Sequence, residues 1–235
     1  SNLRPPMDTP ANAEAPGGLE SVTVEAAANP TAEVVLLHGY AMNVEDLAPF
    51  ARAMASPARF HFPQAPLAAS ARGRAWWPID EERRLDAIAA GARDLAQTCP
   101  PGLALARDRV SRFVTTLAHR SPGCPLIVGG FSQGAMLACD TLLRTRLEIA
   151  GLVLMSGSRL CFSEWQSHAS RLQGLPVLLS HGRSDADLSI EAGEGLRDWL
   201  IAAGARVRWI AFDGGHSVPL IVWRELKRFL AAPGS

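Results

Sequence analysis

Ser132 is the residue whose surroundings point most directly to chemistry, because it is the central residue of the segment G-F-S-Q-G at positions 130–134. The segment follows an apolar run typical of a strand and precedes a run typical of a helix. A serine at such a turn holds its hydroxyl exposed above the sheet, and the glycines around it allow a strained backbone and a close approach of helix and strand. The pattern therefore predicts a nucleophilic serine.

A serine nucleophile needs a base, and three histidines follow Ser132 in the sequence. In sheets with this kind of turn, the order along the chain is serine, then acid, then histidine. His216 lies in a glycine-containing loop after a predicted strand and is expected to reach over the serine as the base. His181 directly follows a strand and is expected to hydrogen-bond within its own turn, and His168 is expected to be solvated.

The acid that orients the histidine is expected to be Asp185, which closely follows a predicted strand. Asp187 follows the same strand, but it is better placed to cap a helix that begins near Leu188. Asp213 remains a candidate for the acid, but it lies so close in sequence to His216 that it is a less obvious choice.

Two backbone N–H groups are expected to stabilise the oxyanion that forms when the serine attacks a carbonyl. The N–H of Gln133 lies at the N-terminus of the helix after Ser132, where free amides and the helix dipole favour negative charge. The second N–H is assigned to Tyr40, in the loop after the strand predicted at 34–37. The alternative is that residues 38–40 form only a turn, which would still border the site.

A sheet must bring these residues together, and short apolar runs punctuated by glycine or proline predict its buried parallel strands. Segments with helical periodicity separate the runs, which indicates one α/β domain with a mostly parallel central sheet and helices on both faces. Alternation predicts an edge strand at 21–25 and a strand with one polar face at 205–212. Ligands bind beyond the carboxyl ends of such strands, where the polar residues named above lie. The predicted buried strands are 34–37, 126–128, 152–155 and 177–179.

Composition limits the class of protein. The chain has 235 residues, of which 48% are hydrophobic, and 23 basic side chains balance 23 acidic ones. We expect residues 1–19 to be a disordered tail or a remnant of cloning, and residues 20–235 to form one catalytic domain.

The balanced charge gives no support for nucleic acid or an anionic membrane surface as a partner. No apolar run approaches the ~18 residues that cross a bilayer, so no integral membrane segment is expected.

The four cysteines are Cys99, Cys124, Cys139 and Cys161, and they form no C-x-x-C pair. No histidine lies at metal-ligand spacing from them, so no metal site is predicted. Scattered cysteines are most simply explained by a reduced, cytoplasmic setting.

With these residues identified, the chain resembles the phospholipase/carboxylesterase branch of the α/β-hydrolases, the group that includes the acyl-protein thioesterases. The resemblance covers residues 30–230 and depends on several motifs in a fixed order. These are L-H-G at 37–39, A-W-W-P at 75–78, G-F-S-Q-G-A-M at 130–136, S-G at 156–157, H-G-x-x-D at 181–185 and G-H-S at 215–217.

The resemblance implies a triad of Ser132, Asp185 and His216 with oxyanion amides at Tyr40 and Gln133, the residues already chosen. It also implies hydrolysis of a small-molecule carboxylic ester or thioester with a hydrophobic acyl group, without a metal or organic cofactor. The oligomeric state is left open between a monomer and a homodimer.

Two departures from the family pattern concern loops at the predicted site. Ala41 stands where the family often has a second glycine, so the resemblance does not fix the geometry of the oxyanion loop. Residues 186–189 replace the usual Pro and Val-Pro after the acid, so acyl preference is not inferred from relatives.

Trp77, Met42 and Leu188 are expected to form an apolar wall around the acyl chain. For Met42 and Leu188, ordinary core packing is an equal alternative. Trp77 is favoured because two consecutive tryptophans before a proline seldom both fit inside a core.

Two other hypotheses stay open. The first is a dienelactone-hydrolase-like or peptidase-like enzyme on the same scaffold, which the serine nucleophile and the lack of a recognisable large lid disfavour. The second belongs to a different class, a non-catalytic binding protein that kept the hydrolase pocket. The presence of all three triad candidates argues against it.

Overall fold

The central sheet has seven strands in the computed structural model, which describes residues 15–26 and 28–232. A separate two-stranded hairpin is formed by β4 and β5. In chain order the strands are β1 Ser21–Val24, β2 Glu33–Leu37, β3 Arg59–Pro63, β4 Leu67–Ala68, β5 Arg74–Ala75, β6 Leu126–Phe131, β7 Gly151–Met155, β8 Pro176–Gly182 and β9 Arg206–Phe212.

Neighbouring strands of the main sheet follow the order β1-β3-β2-β6-β7-β8-β9. Only β1 and β3 pair antiparallel, and the other five pairs are parallel. The strand predicted at 21–25 is the edge strand β1, and the one predicted at 205–212 is β9 at the opposite edge. The predicted mostly parallel sheet is confirmed.

Helices cover both faces of the sheet, as predicted. Side chains that alternate along β2 enter two separate apolar cores, with Val34 and Leu36 on one face and Val35 and Leu37 on the other. Helices α1 and α7 supply the first core, and α3, α4 and α6 supply the second. The helices are α1 Ala48–Met54, α2 Glu81–Ala89, α3 Leu103–Arg120, α4 Gln133–Arg144, α5 Phe162–Gln166, α6 Ile190–Ala202 and α7 Leu220–Ala231.

A tail was expected over residues 1–19, and its residues 1–14 lie outside the described part of the chain. From residue 15 onward the expectation is wrong, because residues 16–18 form a 3-10 turn and Leu19 is buried in the core. A Cβ on Gly17 would lie 2.3 Å from the carbonyl oxygen of Arg109, so this turn packs directly on α3. Burial of the apolar side chain of Leu19 stabilises this segment against the core.

Cys99 and Cys161 are joined by a disulfide, so the expectation of reduced cysteines is wrong for this pair. Two loops bring the sulfurs together, because the N–H of Cys161 donates to the carbonyl of Thr98 and the N–H of Phe162 donates to that of Ala96, each at 2.9 Å. The pair is 62 residues apart in sequence, so spacing carried no signal. The prediction of a cytoplasmic location depended on reduced cysteines, so the disulfide removes its basis.

In the part of the chain that the structure describes, none of the helices has both the length and the apolar character required to cross a membrane.

Candidate active site

The predicted site residues lie in loops at the carboxyl edge of the sheet. Ser132 directly follows β6, Tyr40 follows β2, Asp185 follows β8 and His216 follows β9. Parallel strands bring their carboxyl ends to one edge, so residues far apart in sequence are adjacent there.

Ser132 sits in a strained turn between β6 and α4. Its φ and ψ are 56° and −116°, a combination that costs about 1–3 kcal/mol for a residue with a Cβ. The neighbouring glycines allow close approach, because a Cβ on Gly130 or Gly134 would lie 2.4 or 2.1 Å from the carbonyl oxygen of Leu37. The positive φ therefore falls on the serine itself, and the glycines provide the space.

A chain of hydrogen bonds connects Ser132, His216 and Asp185. The Oγ of Ser132 lies 2.8 Å from Nε2 of His216, and Nδ1 of the same ring lies 2.6 Å from Oδ2 of Asp185. The other oxygen of the buried Asp185 carboxylate accepts the N–H groups of Asp187 and Leu188 at 2.9 and 3.0 Å. This arrangement fixes the carboxylate and the ring so that the ring can accept a proton from the hydroxyl.

The N–H groups of Tyr40 and Gln133 are available to a ligand at this edge. Within the residues that the structure describes, neither group has a hydrogen-bond acceptor. The Gln133 N–H also opens α4, where the helix dipole attracts negative charge.

The side chain of Gln133 has a structural role that sequence reasoning missed. It is buried, its Oε1 accepts the N–H of Trp76 at 2.8 Å, and its Nε2 donates to the carbonyl of Trp77 at 3.1 Å. The argument that both tryptophans seldom fit inside a core is wrong here, because both are buried. The buried polar groups of this segment have hydrogen-bond partners. One of them is the indole N–H of Trp76, which donates to the carbonyl of His38 at 2.9 Å.

A cavity of about 980 Å³ opens in front of Ser132 and His216. Trp77, Met42 and Leu188, the three residues predicted to contact an acyl chain, all line it. Cys99 of the disulfide lies on its wall. Among the described residues, Cys99, Cys161 and Glu164 are the only group that clusters closely enough to hold a metal, and both sulfurs of that group are bonded to each other.

Comparison with known proteins identifies the family. A model of the phospholipase/carboxylesterase family matches residues 19–232. The chain belongs to this family. It is an ester hydrolase with the α/β-hydrolase fold, as the resemblance implied.

Individual relatives show how far the similarity extends. A probable carboxylesterase of Oryza sativa subsp. japonica is 31% identical over 218 residues, which are 87% of this chain and 88% of the relative. An acyl-protein thioesterase 1 of Neurospora crassa is 27% identical over 113 residues, and this match spans about half of each protein, 46% in both cases. The crystal structure of esterase PE8 is 27% identical, with a TM-score of 0.74 over 91% of this chain and 98% of the esterase.

Ala41, the first departure from the phospholipase/carboxylesterase pattern, occupies a position that favours glycine. Its φ is 61°, in the left-handed region, which costs a non-glycine residue roughly 1–2 kcal/mol. The loop keeps this conformation because the N–H of Ala41 donates to the carbonyl of Arg74 at 2.9 Å, and the N–H of Arg74 donates to the carbonyl of Met42 at 2.8 Å. These two hydrogen bonds to β5 therefore keep the loop in this conformation although residue 41 is not glycine.

His181 supports the acid loop instead of only its own turn. Its buried Nε2 donates to the carbonyl of Leu188 at 2.9 Å and lies 3.5 Å from Oδ2 of Asp185. Burial lowers the pKa of His181, which favours the neutral ring. His168, which was expected to be solvated, is half-buried, and its Nδ1 donates to the carbonyl of Glu164 at 2.9 Å.

Asp187, the second departure, does not cap a helix. The cap of α6 is Ser189, whose Oγ accepts the N–H of Ala192 at 3.1 Å. Asp187 instead forms ion pairs with Arg84 of α2, at 2.6 Å, and with Arg93. The Arg84 pair attaches α2, which has no buried residue, to the acid loop, and Arg93 attaches the segment that follows α2.

The pairs of Asp187 predict a pH-dependent contribution to stability. Burial alone would raise the pKa of the Asp187 carboxyl, but hydrogen bonds from Arg93 and Arg84 outweigh burial and hold the pKa below its usual value. A lowered folded pKa adds stability that is complete above the unfolded pKa, about 3.9, and is lost as the pH falls through the folded pKa. We expect Asp187→Asn to reduce the free energy of unfolding by about 2 kcal/mol at pH 7, and by progressively less below about pH 4.

Urea unfolding of both proteins between pH 3 and pH 7 measures this difference. Asp213→Asn is the matched control, because Asp213 is exposed and pairs with the exposed Arg183, and it should show no measurable loss. A loss for Asp187→Asn that is independent of pH would contradict the assignment.

Proposed function

We propose that this chain is a serine hydrolase that cleaves carboxylic esters or acyl thioesters through an acyl-enzyme intermediate. The observation that carries the proposal is the hydrogen-bond chain from Ser132 through His216 to Asp185, with distances of 2.8 and 2.6 Å. Each distance is in the range that proton transfer requires.

In the first half of the reaction, Nε2 of His216 accepts the Ser132 proton while Oγ attacks the carbonyl carbon of the substrate. The carbonyl oxygen becomes an oxyanion, which the N–H groups of Tyr40 and Gln133 stabilise. The tetrahedral intermediate then breaks its bond to the alcohol or thiol, and His216 returns the proton to that leaving group. The products are an acyl-serine and a free alcohol or thiol.

In the second half, His216 removes a proton from water, whose oxygen attacks the acyl-serine. The same N–H groups stabilise the second oxyanion, and His216 protonates Ser132 as the carboxylic acid leaves. Asp185 stays ionised throughout and stabilises the imidazolium in each half. No metal or organic cofactor is required.

A matched pair of substrates tests this proposal. Phenyl butyrate and S-phenyl thiobutyrate differ only in the leaving atom, so both should acylate Ser132 with the same butyryl group. We expect both to be hydrolysed. With methanol added, both should give the same ratio of methyl butyrate to butyrate, since the ratio depends only on the common intermediate. Hydrolysis of neither substrate, or two different ratios, would contradict the mechanism.

A further inference from the structure

The cavity in front of Ser132 is lined by residues from both apolar cores, so it crosses the carboxyl edge of the sheet from one face to the other. Ser132, at the end of the central strand β6, lies between the two parts. We call one part the α2 arm and the other the α7 arm. The α2 arm is lined by Trp77, Leu95, Met136 and Leu188, and the α7 arm by Leu47, Phe50, Val218 and Trp223.

The chemistry of the proposed reaction assigns an arm to each half of the substrate. His216 must protonate the leaving oxygen or sulfur, so the leaving group lies beside the imidazole. The His216 ring packs on the Phe131 ring, with centroids 4.8 Å apart, and Phe131 belongs to the same core as α7. Val218, two residues after His216, continues into the α7 arm. The leaving group therefore extends into the α7 arm, and the acyl group occupies the α2 arm.

The α7 arm is built for an apolar group. The rings of Phe50 and Trp223 are stacked with centroids 5.3 Å apart, and Trp223 is buried. The exposed Asp46, which precedes Leu47, also lines the cavity, and its Oδ2 accepts the N–H of Asn43 at 2.8 Å. An anionic leaving group beside Phe50 and Trp223 would gain no opposite charge from these rings and would be repelled by that carboxylate.

We propose that the α7 arm binds the alcohol or thiol part of the substrate, and that the substrate is an ester with apolar groups on both sides of the carbonyl. The proposal rests on the proposed function, because the direction of the leaving group follows from the role of His216. It disfavours acyl esters and thioesters whose leaving group carries a carboxylate or phosphate near the ester.

Butyrate esters of ethanol, 1-hexanol and glycolate test the proposal. All three give the same butyryl-enzyme, so differences in kcat/KM report only on the step in which the leaving group is present. Each fully buried CH₂ is worth about fourfold. We therefore expect hexyl butyrate to exceed ethyl butyrate by at least about tenfold, and the glycolate ester to fall at least about tenfold below ethyl butyrate.

The Phe50→Ser variant tests whether a preference for hexyl over ethyl butyrate comes from the α7 arm or from the general hydrophobicity of the longer ester. Phe50 is 41% exposed, so the substitution is compatible with folding, and we expect it to reduce the hexyl-to-ethyl ratio to about threefold or less. Leu105→Ser is the matched control, at an exposed leucine on α3 outside the cavity, and should keep the ratio of the unmodified protein.

Equal kcat/KM values for hexyl and ethyl butyrate, or an unchanged ratio in Phe50→Ser, would overturn the inference while leaving the proposed function intact. Hydrolysis of none of the three esters would overturn both.

Discussion

Replacing Ser132 with alanine should reduce kcat for p-nitrophenyl butyrate by about 10⁵-fold or more, because the reaction loses the atom that forms the acyl-enzyme. The fold should be preserved. The hydroxyl bonds only to His216 among the described residues, and alanine has the same Cβ and therefore the same backbone cost at a φ of 56°. Steady-state kinetics and circular dichroism measure the two effects.

Ser156→Ala is a matched control for that substitution. Ser156 also has a positive φ, of 51°, it directly follows the neighbouring strand β7, and its buried hydroxyl has no partner among the described residues. We expect this variant to stay within about threefold of the unmodified protein, since no bond is lost. Undiminished activity of Ser132→Ala would refute the assignment of the nucleophile.

Replacing Asp185 with asparagine should reduce kcat by about 10⁴-fold. The asparagine Oδ1 can still accept the N–H groups of Asp187 and Leu188, so the loop should keep its shape. The amide nitrogen then takes the place of Oδ2 and donates to Nδ1 of His216, which forces the ring proton onto Nε2. An Nε2 that already carries a proton does not accept another from Ser132.

Kinetics with p-nitrophenyl butyrate measure that loss, and urea unfolding shows whether the variant remains folded. Asp187→Asn makes the same chemical change two residues away and should cost far less activity, because Asp187 lies 4.0 Å from Nε2 and does not contact Nδ1. A loss below tenfold for Asp185→Asn would show that Asp185 does not hold the ring.

The fold and the positions of the three central residues were accessible from the sequence because their signals are local. A buried strand, a turn with small residues and a helix follow one another within about twenty residues around Ser132, and each has its own periodicity. The loops of Asp185 and His216 could be placed because each directly follows a strand of the same parallel sheet.

Two of the contacts that sequence reasoning missed join residues far apart in the chain. The disulfide closes over 62 residues, and Asp187 meets Arg84 across 103. Neither pair belongs to a periodic pattern, since the partners come from irregular loops and from a helix with no buried face. The role of His181 was missed for a different reason, because its acceptor is the carbonyl of Leu188, seven residues away, and the residue type does not reveal a backbone acceptor.

The measurement that tests the central claim most directly is labelling with a fluorophosphonate followed by peptide mass spectrometry, because only an activated serine reacts. We predict one adduct per chain, on the peptide that contains Ser132, and no adduct in Ser132→Ala. No adduct in the unmodified protein, or an adduct on another serine, would contradict the account.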